Sequence, residues 1–403
     1  MMKYSLLLLF CTFLAQNAAQ DTIDTWAPSD ATEAYTATAA WTGRVTGATG
    51  WTYIPEDTST AGTSAPPTSS CSSTHCPQEC ACTPQNIWLD IVLVVDVSNS
   101  ITADGLLGAK AFLKSIVSAL TVSQTPGKTT RVAIVGFAAT AQVYKDLGDV
   151  ISQSDERPTA QNVVFLVTSA NQKGSPLDPH PIANQLKSDG TTIITVGYAQ
   201  SDTTTPPTID FASPGYNFTN RQPDLFPALG RALCDVNCFC LPRWVQYASG
   251  TPGYPQYRKY GECLFLQTLP ATWDTARQVC QTMTVTGGYL MDELDADKQY
   301  FAKTLATATH PEVQSQGYWT GLNNKDGFWS WDRGTGNGLP LAGDDYSNWM
   351  SGYPMAGSAQ CVADVKFSGF IMKWKNLPCS SPFTDARVYF CQTRSCDTDN
   401  YCG

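Results

Sequence analysis

The run DVSNS sets Asp96, Ser98 and Ser100 at alternate positions directly behind an aliphatic stretch. One carboxylate and two hydroxyls are oxygens of the kind a hard cation such as Mg2+ takes, though three donors fall short of a full shell. The same serines also suit the cap of a helix starting there, and both readings stand. A second concentration of charge, Asp292, Glu293, Asp295 and Asp297, offers carboxylates that could pair for acid–base work. Negative charge is favoured at helix starts, so the expectation is a solvated loop leading into a helix. His75, His180 and His310 sit in unrelated contexts, and no strand–turn–helix nucleophile motif accompanies them. The chain is therefore expected not to be an enzyme. Thiols gather twice: Cys71, Cys76, Cys80 and Cys82 in CSSTHCPQECAC, then Cys234, Cys238 and Cys240. Zinc, with His75 alongside, is one use of such thiols; disulfides between the two clusters, clasping the ends of the segment between them, are the other.

The start of the chain favours disulfides. Lys3 precedes the apolar run Leu6–Phe10, which fades into the small residues Ala18 and Ala19. A positive start, a short apolar stretch and a small-residue exit read as a secretory signal peptide over residues 1–20. Fourteen of the 15 cysteines remain beyond it, an even number suited to an oxidising compartment. No later segment has the roughly 18 uninterrupted apolar residues of a membrane span. The expected localisation is secreted and extracellular. A formal charge of −10 with no basic stripe argues against nucleic acid as a partner.

The elements behind these residues fall into segments. Residues 21–70 contain 18 Ser or Thr and no Leu, Phe or Met, so they cannot bury enough apolar surface to offset ordering and should stay extended. Residues 71–86 form a Cys-rich linker. Between 87 and 233, aliphatic runs at Ile91–Val95, Val132–Phe137, Val163–Val167 and Thr192–Val196 read as buried parallel strands. Ala109, Phe112, Leu113, Ile116, Val117 and Leu120 recur at helical spacing. Strands alternating with helices argue for a doubly wound α/β sheet, whose ligands bind beyond the carboxyl ends of the strands. Asn217-Phe218-Thr219 is an N-glycosylation sequon in a surface loop.

The run DIVLVVDVSNSI, its helix and the strand RVAIVGF resemble von Willebrand factor A domains. The resemblance implies that Asp96, Ser98 and Ser100 hold Mg2+, with a ligand carboxylate completing the shell. The pattern is damaged: Ser169 stands where that family has Asp, and the Thr-donating loop is missing. Only 17 residues, Asp146–Asn162, join the third strand to the fourth. Extended, they reach about 55 Å, enough for three strand spacings of about 14 Å in all. They are too few to supply the helices that cover one sheet face in the family, so part of that face is expected to be bare.

Residues 234–394 are rich in Trp, Tyr and Gly. Thr272–Met283 reads as a helix with Trp273, Ala276, Val279/Cys280 and Met283 on one face. A second helix is expected after an N-cap at Asp295, burying Tyr300, Phe301 and Leu305. The pieces CLFLQTLPATWDTARQVC, YWTGLNN, GFWSWD, NWMSGYP, QCVADV, KWKNLPC and YFCQ occur in an order and spacing that resemble the C-type lectin-like family. The resemblance implies an α+β, disulfide-stapled fold, with Cys280 paired to Cys391, Cys361 to Cys379, and Cys240 to Cys263 closing an N-terminal hairpin. A Cys-containing tail, 395–403, follows.

In calcium-dependent members, Glu-Pro-Asn and Trp-Asn-Asp motifs hold Ca2+ and contact sugar hydroxyls. Here those positions are Tyr353-Pro354-Met355 and Trp374-Lys375-Asn376. An ammonium and a thioether where calcium takes oxygens disfavour Ca2+ at the lectin-like domain. Tyr353, Lys375 and Asn376 become the ligand-binding candidates, with Lys375 donating to hydroxyls or an anionic group. The pairing of modules resembles nematode secreted proteins associated with innate defence. It implies a binder of glycans or glycoproteins, including microbial surfaces, that works without calcium. The alternative is a protein-interaction or adhesion component of mucus or extracellular matrix with no sugar site.

Overall fold

The structure is a computed structural model. It describes Phe10, Leu14 and residues 76–402, apart from 99–100, 124–126, 139, 146–156, 158, 170–177, 202–204, 252–256, 285–286, 312, 335, 337, 370 and 381–385. Ser100 and Cys71 lie outside the described residues. Among the described residues, Phe10, Leu14, Cys82–Asn237 and 401–402 form one compact unit, and 76–81 with Cys238–Asn400 form a second.

The first unit is built on strands β1 (Asp90–Asp96), β2 (Arg131–Phe137), β3 (Ala141–Lys145), β4 (Asn162–Thr168), β5 (Thr192–Gly197) and β6 (Asn217–Thr219). Its helices are α1 (Ala103–Ser118), α2 (His180–Ser188) and α3 (Leu225–Asn237). The sheet runs β3-β2-β1-β4-β5-β6, parallel except for β3. The four aliphatic runs are its central strands, buried on both faces as their lack of alternation requires. Ile91, Leu93 and Val95 face one side, where Ala109, Leu113 and Ile116 of α1 and Leu225, Leu229 and Leu233 of α3 cover them. Thr102 caps α1 by accepting from the Gly105 N–H at 3.1 Å.

Val92 and Val94 face the other side with Val135, Val164 and Leu166. Ile182, Ala183 and Leu186 of α2 cover part of this face. Where the short connection leads one to expect bare sheet, Phe10 and Leu14 of the apolar N-terminal stretch pack into it, Phe10 edge-on to Phe211 at 5.8 Å. Arg157, from the end of that connection, donates to the carbonyls of Leu89 and Thr129 and pairs with Asp90. Asp90, itself buried, also receives Arg131. Two guanidinium groups around one carboxylate anchor the short connection where the strands begin.

The second unit holds β7 (Val245–Ser249), β8 (Arg258–Ala271), β9 (Tyr289–Leu290), β10 (Tyr318–Asn323), β11 (Ser330–Trp331), β12 (Leu339–Pro340), β13 (Cys361–Ser368), β14 (Ile371–Leu377) and β15 (Arg387–Arg394). Helices α4 (Trp273–Thr282), α5 (Ala296–Thr309) and α6 (Val313–Gln316) accompany them. The strand path is β12-β11-β10-β15-β8-β7, with β13 and β14 branching from β10 as a hairpin. Trp273, Ala276 and Cys280 of α4 are buried as the helical spacing predicts. Asp295 caps α5 by accepting from Lys298 N–H at 2.7 Å.

The buried face of α5 departs from expectation. Tyr300 is 66% exposed, whereas Lys298 and Gln299 are buried and Phe301 and Leu305 are half-buried. The Lys298 ammonium sits between the Glu262 and Asp292 carboxylates and donates to Gln392 Oε1 at 2.9 Å. Arg333 holds the other oxygen of Asp292 at 2.7 Å. Asp292 and Glu293 are therefore core residues, not the solvated loop that their charge suggests. Burial works against ionising Asp292, but Lys298 and Arg333 together hold its carboxyl below the usual range. Glu262 is lifted by burial, which its single cation only partly offsets.

Disulfides staple both units. Cys240–Cys263, Cys280–Cys391 and Cys361–Cys379 lie in the second unit. Cys82–Cys234 closes the first unit on itself, and Cys80–Cys238 lies in the second, so the two cysteine clusters are joined by consecutive rungs.

Candidate functional site

The β13–β14 hairpin and the loop before it carry the residues singled out for ligand binding. A cis peptide bond joins Tyr353 to Pro354, and Tyr353 N–H donates to Met350 carbonyl at 2.9 Å. Lys375 stands on β14 with its ammonium 5.4 Å from the Tyr353 ring centroid. Such a cation–π contact contributes about 0.5–1 kcal/mol at a half-exposed site. Among the described residues no carboxylate pairs with Lys375. Met355 is exposed beside this pair.

Asn376 does something else. Only 2% exposed, it accepts from Met355 N–H at 2.8 Å. Its amide nitrogen donates to Met355 carbonyl at 2.8 Å and Ala359 carbonyl at 2.7 Å. All its polar capacity faces the backbone of the preceding loop, so it fastens the loop and offers nothing to a ligand. That corrects the expectation that Asn376 is a ligand contact. An amide can donate and accept at once, whereas a carboxylate at this position could only accept.

Calcium does not fit this set. The candidate donors are a phenol, a thioether, an ammonium and an amide already saturated by backbone, with no carboxylate among them. Trp374, between the two lysines of β14, is fully buried, its ring edge-on to Trp331 at 5.4 Å and Trp349 at 5.7 Å. It belongs to the core and offers no stacking surface.

Behind β14 lies a polar cluster that hydrophobic patterning did not reveal. Trp374 Nε1 donates to Glu293 Oε2 at 2.6 Å. The Tyr318 hydroxyl lies 2.8 Å from Glu293 Oε1 and 2.9 Å from Asp364 Oδ2. Glu293, Tyr318, Asp364 and Trp374 are all fully buried. Burial pushes the Glu293 carboxyl up to about 7, against the pull of the Trp374 and Tyr318 hydrogen bonds. Burial and the neighbouring Glu293 drive Asp364 well above the usual carboxylate range. The sequence did hold a signal: Asp292 and Glu293 are flanked by Leu290, Met291 and Leu294, an apolar context for two acids.

In the first unit, Asp96 ends β1 with 2% exposure. Its Oδ1 accepts from Ser98 N–H at 3.0 Å and Ser98 Oγ at 2.6 Å. Its Oδ2 accepts from Thr168 Oγ1 at 3.3 Å, Ser169 N–H at 3.2 Å and Ser169 Oγ at 2.9 Å. Ser169, in place of a second acid, thus donates into the carboxylate that would face a cation. One carboxylate met by five donors is a poor fit for Mg2+, and no group of three or more acidic, His or Cys side chains that could hold a metal ion occurs among the described residues. The sequon residue Asn217 is exposed on β6, an edge strand, where its side-chain oxygen accepts from Thr195 Oγ1 at 3.0 Å.

Comparison with family models matches residues 269–392 to the lectin C-type domain, and residues 90–156 and 147–229 to the von Willebrand factor type A domain. C-type lectin domain-containing protein 160 of Caenorhabditis elegans is 27% identical over 376 residues, 81% of this chain and 56% of that protein. The chain thus spans little more than half the length of that relative. Protein irg-7 of Caenorhabditis elegans is 36% identical over 117 residues, 28% of this chain and 5% of that protein. Among solved structures, human lithostathine is 23% identical and covers 38% of this chain and 90% of its own, with a TM-score of 0.29. The chain joins a von Willebrand factor type A domain to a C-type lectin domain.

Proposed function

We propose that this chain is a secreted recognition protein whose C-type lectin domain binds a glycan or glycoprotein without calcium, in defence against microbes. The observation that carries the reading is the division of labour on β14. Asn376 fastens the loop through its amide, while the neighbouring Lys375 presents an ammonium over the Tyr353 ring with no carboxylate partner among the described residues. An ammonium beside an aromatic face can donate to sugar hydroxyls or pair with a carboxylate or sulfate of an acidic glycan. The apolar stretch after Lys3 and the disulfides support secretion. Among the described residues no helix is long and apolar enough to cross a membrane. The exposed Asn217 sequon supports N-glycosylation of the A domain.

In this reading neither domain performs catalysis, and the A domain acts without Mg2+. The test is an array of neutral and acidic glycans probed with the full chain in EDTA. Binding that survives EDTA and falls at least tenfold in Lys375→Ala supports the reading. Silence across the array, with protein partners recovered instead, replaces it with an adhesion role in mucus or matrix.

A further inference from the structure

The Glu293–Tyr318–Asp364 cluster has a hydrogen-bond arithmetic that does not close when both acids are ionised. Tyr318 has one hydroxyl proton, and two carboxyl oxygens lie within 2.9 Å of it. Trp374 Nε1–H is donor-only and takes Glu293 Oε2 as acceptor. If Tyr318 donates to Glu293 Oε1, the contact with Asp364 Oδ2 holds only when Asp364 carries a proton and donates it to the phenol oxygen. Asp364 Oδ1 is buried without a hydrogen-bond partner, and the pull of Gln299 and Lys303 toward ionisation is outweighed by burial and by Glu293. Two buried acids bridged in this way retain protons that exposed carboxyls would have released.

We infer that Glu293 and Asp364, bridged by Tyr318, are a proton-binding pair beneath the ligand strand, and that Glu293 positions β14 through Trp374 in a pH-dependent way. The groups facing the pair come from several elements. Lys298 on α5 draws Glu293 toward ionisation while Asp292 opposes it. Lys303 on α5 acts weakly on Asp364, and the Gln299 side chain adjoins it. Tyr346, from the loop before β13, donates to Gln299 Oε1 at 2.6 Å and is itself kept protonated by burial and these acids. Lys298 is already held by Glu262 and Asp292, so no cation is dedicated to the pair.

The sign follows from the direction of the shift. An acid titrating near 7 when folded and near 4.5 when unfolded favours folding at low pH and loses that advantage as pH rises through 7. Between pH 5 and pH 8 the unfolding constant of the lectin domain should rise about 70-fold on that account. The part of the proposal that concerns ligand rests on the Lys375 reading; the proton-binding part does not.

The experiment uses the full chain and two ligand-free readouts: the indole N–H resonance of Trp374 and hydrogen exchange of the β13–β14 amides, from pH 5 to 8. The resonance should shift with a midpoint near neutrality, and exchange should quicken toward pH 8 beyond its intrinsic pH dependence. Both effects should vanish in Glu293→Gln, whose single amide oxygen still accepts from Trp374 Nε1 while its NH2 donates to the Tyr318 oxygen. Asp364→Asn removes the bridging carboxylic acid and should move the midpoint downward. A Trp374 resonance that titrates identically in Glu293→Gln, or does not titrate in the wild type, overturns the inference. Once an array has supplied a glycan, its Lys375-dependent affinity should change over the same pH interval. Failure of that arm alone would count against the ligand reading and leave the proton pair standing.

Discussion

Replacing Lys298 by Met tests the buried ion cluster at a point where the loss can be worked out. The ammonium is fully buried and serves Glu262, Asp292 and Gln392 together. Asp292 keeps Arg333 at 2.7 Å after the change, so it remains compensated. Glu262 keeps only the Gln78 N–H at 2.7 Å and has lost its cation. Breaking such a pair costs about 3–5 kcal/mol when the stranded charge stays ionised. Glu262 has a cheaper course, which is to take up a proton. Holding that proton at pH 7 against an unfolded value of 4.5 costs about 3.4 kcal/mol, at about 1.36 kcal/mol for each pH unit. At pH 5 the same cost is about 0.7 kcal/mol. Lys298→Met should therefore destabilise the lectin domain by up to about 3 kcal/mol at pH 7, less whatever the already raised Glu262 costs with Lys298 present, and by under about 1 kcal/mol at pH 5. Adding Glu262→Gln should recover most of the loss at pH 7. Native-state hydrogen exchange of the β8 and β15 amides in the full chain reads the stability of this unit alone. A loss equal at both pH values, or one that Glu262→Gln leaves untouched, would refute the reasoning.

Three further outcomes are expected. Asn376→Ala leaves two carbonyls and one amide of the preceding loop without partners, so that loop should loosen at a cost of about 1–3 kcal/mol; its amide exchange should rise while Lys375→Ala leaves it unchanged. Millimolar Ca2+ or Mg2+ should leave the thermal unfolding of either domain where EDTA leaves it, and an upward shift of several degrees in either would contradict the donor sets described above. A chain that begins at Asp21, which is the mature chain in the secretion reading, lacks Phe10 and Leu14 and should bind more of an apolar dye at the uncovered Val94 and Leu166 face than the unprocessed chain does; equal dye binding would show that the face is closed by other means.

The four central strands of the A domain were legible because strands buried on both sides need unbroken aliphatic runs, and few other segments do. Helix α4 was legible for a similar reason: Trp273, Ala276 and Cys280 fall on one stripe. Helix α5 was harder, because half its buried stripe is polar. Lys298 is buried only because Glu262 and Asp292 await it, and Glu262 lies 36 positions away in a different strand. Periodicity counts apolar residues, so it passed over Lys298 and promoted Tyr300, which is exposed. The cluster under β14 escaped for the same reason, since Glu293, Tyr318 and Asp364 meet only through the pairing of β10 with β13. At the loop before β13, motif positions picked out residues that the fold brings together, Lys375 over Tyr353, yet residue type alone did not say that Asn376 turns inward. That required the Met355 and Ala359 backbone groups to be in view.

The consecutive rungs Cys82–Cys234 and Cys80–Cys238 bear on how the chain carries mechanical load. A pull applied upstream of Cys80 and downstream of Cys238 reaches a covalent shortcut before it reaches any strand of the A domain. The chain between Cys82 and Cys234, a separation of 152 positions, is then bypassed by the covalent path, and its sheet need not resist shear. Under traction, a chain wired this way would keep its A domain folded until a reductant or thiol exchange opened both rungs.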